Sequence, residues 1–431
     1  MRTSVPMSHS RKVSEVSSQT ARRSFSDGPH GPRARRHQAE LDVALRRLHG
    51  AARHLVGSTT HSDPVERQRL TNSVARGEHA KPCWEWKPVA VERSVWRELA
   101  RARELAVDSV ASDLYVQRLE ELETELLLLE SLGRSKQVRP MAARLFGTGS
   151  ERLFSDGEHT VLDAAHEILA HTPLQQEPKT IPAASAKGVN LRDLMLAYAK
   201  HVRLHIAVRV DPNLIANAAV GERTVFIADR LFGAYEAQRL ATHEVYGHLV
   251  SAFNGRAQAL GVFAIGTAGS YGDQEGVAIY LEELAGLLSP CRQRTLAGRL
   301  LATHAMHAGV SFGDAARTLV SEHDFSAGGA VTLCERAFRA GGVARDAVYL
   351  TSWLRVRRAV ARGETSLGEL QLGKVSLGAL PELRRLAREG LVSQPIYLSN
   401  LARSLGRTGP GTKSATLPPS LATSLTRLDA T

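Results

Sequence analysis

Apolar residues recur at a helical spacing through the stretch 94–132. Leu99, Leu105, Val110, Leu114, Leu119, Leu122 and Leu126 line one face, and Gly133 follows as a stop signal. A shorter helical pattern occupies 39–55, and a polar connector leads on to about residue 80. Val161, Leu162, Ala165 and Ile168 predict a second helix over 157–171, after which Pro173, Pro178 and Pro182 mark a loop. The period then changes. Leu204, Ile206, Val208 and Val210 alternate as in a half-buried strand, and 215–220 and 224–228 read as two more strands joined by Gly221-Glu222. A helix is expected over 235–253, then a glycine-rich loop with Gly255, Gly261, Gly266, Gly269 and Gly272. Helical pieces continue from Gln274 to about Arg362. The fold class expected from this order is α+β, mostly helical, with a small β-sheet preceding the key helix and disordered termini.

Composition refines the picture without redirecting it. A chain of 431 residues with 43% hydrophobic and 23% charged positions can bury a sizeable core. It contains no apolar run long enough for a membrane span. Cys83, Cys291 and Cys334 are far apart and form no CxxC pair, which argues against a disulfide framework or a cysteine-rich zinc site. They fit a reducing compartment, and the expected location is cytoplasmic. The formal charge of +11 is partly concentrated in the first forty residues, a Ser-rich, aromatic-poor stretch that reads as a solvated, disordered tail. Transit peptides share that composition. Nucleic-acid binding would rest on charge alone, and neither a nucleic acid nor a membrane is an expected partner. The resulting domain plan is a basic tail over 1–40, a helical segment and linker over 41–80, one large domain over 81–402 and a Ser, Thr, Pro and Gly-rich tail over 403–431.

Candidate chemistry sits in the helix expected over 235–253. Thr242-His243-Glu244-Val245-Tyr246-Gly247-His248 resembles the HExxH zinc signature with one extra residue between the histidines. Five residues apart, the two rings lie about 140° from eclipsed on an ideal α-helix, so sharing a metal requires a local distortion. A π-turn supplies one, and Gly247 is the residue most tolerant of the bend. Zinc hydrolases commonly add a carboxylate to two histidines and leave a position for water. Glu275 opens the next expected helix, and Glu282 and Glu283 are rivals by spacing, each also readable as a solvated helix face. His304 and His307, three apart, read as a helix-surface pair. The glycine-rich loop matches neither a dinucleotide nor a Walker pattern.

These motifs resemble those of the flavohaemoglobin expression-modulating QEGLA-motif proteins of bacteria, whose domain also occurs in the eukaryotic microtubule-associated tyrosine carboxypeptidases. The family pattern HEIGTH, Asn-Gly, Gln, QEGLA is met by HEVYGH at 243–248, Asn254-Gly255, Gln258 and QEGVA at 274–278. Weaker matches are KPCWEW at 81–86, RAFRAGG at 336–342, RDAVYL at 345–350, Leu372-Gly373-Lys374 and Gln394-Pro395, so the resemblance runs from about 80 to 402. The chain departs from the pattern at Val245-Tyr246-Gly247, where the glycine has moved by one, and at Ala340, where the family has a glycine. The resemblance implies one zinc ion held by His243, His248 and Glu275. Glu244 would be the general base that takes a proton from the attacking water and passes it to the leaving amine. The substrate would be a protein or peptide C-terminus. Oxyanion stabilisation points to Tyr349, with His323 as the alternative, and recognition of a terminal carboxylate points to Arg336 and Arg339. Asn254 and Gln258 are expected to support the site by hydrogen bonding. A regulatory protein that keeps the metal with little hydrolytic activity and a zinc endopeptidase are the competing expectations.

Overall fold

The computed structural model describes residues 31–55, 63–153, 159–174, 178–212, 214 and 216–405. The tail readings over 1–30 and 406–431 lie outside these residues. The first helix, Pro32–Ala52, begins earlier than the apolar pattern implied, so 32–40 is helical rather than tail. Proline at the first position suits this start, because its missing N–H has no partner there in any helix. The polar connector contains a second helix, Pro64–Ala75, capped by Asp63, whose Oδ1 accepts from the Val65 and Glu66 amides. The long period over 94–132 divides into Arg93–Val107 and Ser112–Ser131, and a further helix, Ser135–Phe146, follows Gly133. The helix expected over 157–171 is Val161–His171, closed by a Thr160–Asp163 capping box.

Among the described residues, five short strands precede the key helix. β1 (Lys179–Pro182) pairs antiparallel with β5 (Leu231–Gly233). β2 (Ala207–Asp211), β4 (Thr224–Ala228) and β3 (Ala218–Val220) form a second sheet in that spatial order, β2 parallel to β4 and β3 antiparallel to it. The helix Leu191–His201 packs against this sheet, burying Leu191, Met195 and Ala199 with Val225, Ile227 and Phe232. β5 runs directly into the helix Ala234–Ala241. Glu236 fixes the junction, accepting from the Gly233 amide and from Arg230.

The helix Ser270–Leu284 is buried on every side, from Asp273 to Glu283 without a break. A helix with no solvated face belongs at the centre of a domain. It lies against the helix Ala347–Ala361, and Gly276 makes the approach possible: a Cβ there would stand 2.4 Å from the Ser352 carbonyl oxygen. The main core wraps this pair, with Trp353, Tyr115, Phe263, Leu119, Leu122 and Leu126 fully enclosed. Pro32–Ala52 closes the core from outside. Its Asp42 accepts from Tyr115 Oη and from the Gly261 amide at 3.1 Å, tying the loop between the two site helices to the first helix. The mostly helical α+β reading stands, with two small sheets in place of one. No helix among the described residues is long and apolar enough to cross a membrane.

Candidate metal centre

The segment Thr242–Leu249 is a π-helix, continued as Val250–Ala257. Its widened turn brings the His243 and His248 Nε2 atoms to 3.2 Å, although the residues are five apart. The close approach of the Ser270–Leu284 helix explains Gly247 better than backbone flexibility does. A Cβ at Gly247 would lie 2.6 Å from Ala278 Cβ, so only glycine lets the two helices meet at this level. A π-turn also leaves a carbonyl without its usual in-helix donor. Gln371, fully buried, donates from Nε2 to the Tyr246 oxygen at 2.6 Å. Sequence reasoning missed this residue, and its only signal was a polar side chain set between Leu370 and Leu372.

Glu275 sits in the second turn of its helix, which starts at Ser270 instead of at Gln274. Its Oε2 is 3.2 Å from His243 Nε2 and its Oε1 is 3.6 Å from His248 Nε2. The three donor atoms lie within 4.8 Å of one another and form a candidate metal site. Their chemistry and spacing fit a tetrahedral ion, since two donors at about 2.1 Å from such an ion stand about 3.4 Å apart. The charges of His248 and His243 hold the Glu275 carboxyl far below its ordinary range despite burial, so it is an anion. Glu244, next in sequence to His243, is buried and is not among the clustered ligands.

The rival carboxylates have other partners, and neither is solvated. Glu282 is fully buried, and its Oε1 lies 2.7 Å from His243 Nδ1. Arg292 grips both Glu282 oxygens at 3.0 and 3.2 Å, and Arg239 reaches Oε1 at 3.3 Å. This carboxylate orients the histidine and presents its Nε2 to the site. Burial disfavours charge on His243, but the hydrogen bonds of Glu275 and Glu282 outweigh it and lift its pKa to about 9. Glu283 accepts from Trp353 Nε1 at 2.8 Å and from Arg357 Nε at 3.0 Å, joining the buried helix to its neighbour.

The supporting amides do more than expected. Asn254 donates to the Gln371 and Tyr397 oxygens and accepts from the Ile396 and Tyr397 amides. Gln258 bonds Leu372 and Ser393, and Gln274 bonds the Leu370 and Val375 oxygens. Together they fasten the segment 370–397 across the back of the metal helices.

The arrangement of two histidines on a π-helix, a helix-borne glutamate and this amide clamp spans 243–397, and the family model described as microtubule-associated tyrosine carboxypeptidase matches residues 75–412, most of the chain. The chain belongs to that family. No curated protein matches it in a sequence comparison. The family domain begins within the helix Pro64–Ala75, so Pro32–Ala52 lies outside the match even though it packs on the domain.

Around the family's candidate centre the remaining predicted residues divide. Tyr349 is half-buried beside the metal group: its hydroxyl pairs with Tyr271, and burial and the Glu275 charge raise its pKa well above the ordinary value. Arg336 bears on it, with Arg339 near Arg336 and Asp346, but Arg336 is held in a fork by Asp346, Nε to Oδ2 at 2.5 Å and a terminal nitrogen to Oδ1 at 2.7 Å. His323 stands elsewhere, 5.6 Å from the His166 ring with Arg294 on its carbonyl. His304 and His307 join no metal cluster among the described residues. All three cysteines are free thiols.

Proposed function

We propose that the chain is a zinc-dependent carboxypeptidase that removes a C-terminal residue from a protein or peptide. The observation that carries this reading is the His243–His248–Glu275 cluster, with Glu244 buried and next in sequence to His243. Two imidazoles and one carboxylate are a ligand set suited to zinc. When bound, such an ion supplies a Lewis acid that lowers the pKa of water to about 7 and polarises a carbonyl. Glu244 takes the proton of the attacking water and delivers it to the leaving amine. Glu282, by holding His243 Nδ1, keeps Nε2 turned to the site. Tyr349 donates its hydroxyl to the oxyanion that develops at the scissile carbonyl. Arg336 and Arg339 belong to the wall that receives the substrate terminus. The family description names a C-terminal tyrosine, which makes tyrosine the first terminal residue to try. Free thiols, two of them exposed, suit a reducing, cytoplasmic setting.

The test begins with metal content by mass spectrometry on protein purified without chelators. The expected result is about one zinc per chain, lost in His243→Ala and Glu275→Ala and retained in Glu244→Gln. C-terminal release from a peptide panel is then expected from the native chain and not from Glu244→Gln. Zinc retained without release would favour a regulatory protein that keeps the metal. Release from peptides with blocked C-termini would make it an endopeptidase.

A further inference from the structure

Behind Tyr349 the wall of the site is more cationic than its own carboxylates can balance. Arg299, Arg336 and Arg339 act on a single buried carboxylate, Asp346. Arg336 takes both of its oxygens. Arg299 is left 3.8 Å from Oδ2, and its Nε is buried without a hydrogen-bond partner among the described residues. Its guanidinium lies over the Tyr349 ring at 4.9 Å, which fixes the plane of the group. Arg339 has no carboxylate within ion-pair distance among the described residues. Three guanidiniums thus crowd Asp346, and the other anion felt by Arg339, Glu335, is held by Arg67 at 2.7 Å. Burial and mutual repulsion bring Arg299 and Arg339 down to about 10, as befits cations short of an anion. The nearby charges do not close the gap: Arg292 is committed to Glu282, and Glu275 to the two histidines.

The wall also borders the chemistry. Glu275 and Arg336 both bear on Tyr349, and Arg292 feels Tyr349 and Glu275. Arg299 projects from the interior of the helix Pro290–His307, a rigid support, and 17% of its side chain remains open to solvent, so a ligand can reach it. Its Nε is buried against Asp346, so a ligand meets the terminal nitrogens instead, and a planar guanidinium held by a ring is suited to take a carboxylate there in the two-point manner that a lysine cannot reproduce.

We propose that Arg299, together with Arg339, is the seat of the substrate's terminal carboxylate, while the fork of Arg336 stays on Asp346. This rests on the carboxypeptidase reading and names the residues that make the site an exopeptidase. The experiment measures binding to the zinc-loaded, full-length Glu244→Gln protein by calorimetry. The probes are N-acetyl-glycyl-tyrosine, N-acetyl-glycyl-phenylalanine and N-acetyl-glycyl-glutamate, each as free acid and as C-terminal amide. The free acids are expected to bind about tenfold or more tighter than the amides. Adding Arg299→Met should erase that preference while leaving amide affinity and zinc content unchanged, and Arg299→Lys should restore only part of it. In the active enzyme the same substitution should raise KM for free-acid peptides with little change in kcat. An acid preference that survives Arg299→Met overturns the proposal and leaves the carboxypeptidase reading standing. Acids and amides bound equally by the parent protein overturn both. If Arg299→Met does not fold, Arg299→Lys and Arg299→Gln decide: full preference in both overturns the assignment.

Discussion

Two buried carboxylates are gripped by arginines on either side of Glu275, and they differ in whether the charges close. Glu282 has Arg292 and Arg239 on one side and His243 on the other, every contact directed at holding one imidazole. Asp346 has Arg336 in a fork, with Arg299 and Arg339 left over. The first arrangement consumes its donors and makes a rigid support for chemistry. The second keeps donors in reserve and makes a surface for a ligand. Low dielectric makes both costly to disturb, but in opposite ways, since removing an anion from the closed group strands cations while adding one to the open group satisfies them.

The closed group should therefore be the harder to alter. Glu282→Ala leaves Arg239 and Arg292 without their shared anion and frees His243 to turn. The expected cost is about 3–5 kcal/mol of stability. Zinc affinity should fall roughly 10–100-fold. Urea unfolding and metal competition check the two effects separately. Unchanged metal affinity in a folded variant would show that Glu282 is only structural, and the contrast with Asp346 would collapse.

Packing around the centre gives the next largest effect. Gly276→Ala places a methyl 2.4 Å from a backbone oxygen that cannot swing aside. The helix carrying Glu275 must then move away from Ala347–Ala361, at a cost of about 1–3 kcal/mol. Zinc occupancy should drop in parallel, because Glu275 is the neighbouring residue; acid-over-amide preference at Arg299 should persist in whatever fraction stays folded. Gln371→Leu is expected to be milder, about 1–2 kcal/mol, for the loss of the donor to the Tyr246 oxygen. Its readout is hydrogen exchange at the amides of 242–249, which should quicken if Gln371 supports the π-turn.

The closed group and the open one were not equally legible in the sequence. His243, His248 and Glu275 stood out because their residue types and spacing are constrained by a single ion, and the extra residue between the histidines foretold the π-turn. Glu282 was visible only as a rival ligand, since its value lies in pairing with Arg239 and Arg292, which are distant from it or from each other in sequence. Gly247 carried a signal of flexibility and Gly276 stood only inside a motif, whereas the function of both is close approach, which depends on partners at 278 and 352. Arg299 gave no signal at all in a chain with 55 Lys and Arg, because an arginine without a partner is recognised only once its surroundings are known. The helices Pro64–Ala75, Ser135–Phe146 and Leu191–His201 were passed over for a related reason: they bury only two or three residues each, too few to imprint a period.

The smallest expected effect lies at the base of the open wall, in the turn that carries Arg339. Ala340 holds φ 56° and ψ 25°, a left-handed conformation that favours glycine. Replacing it by glycine relieves about 1 kcal/mol of steric strain. Against this, Ala340 is fully buried, and losing its methyl forfeits about 0.8 kcal/mol of burial. Glycine also loosens the unfolded chain by roughly 0.4–1 kcal/mol. The three contributions nearly cancel, with a slight balance towards destabilisation. Ala340→Gly should thus shift Tm by no more than about 2 °C, and the carbonyl at 340 should go on accepting from the Gly133 amide at its present 3.0 Å. A rise of several degrees would mean that the strain is larger than the dihedral angles indicate and that the chain tolerates it to hold Arg339 in place. Free-acid binding separates those cases: unchanged affinity with a raised Tm makes the alanine a stability defect, whereas weakened affinity makes the strained turn part of the open wall itself.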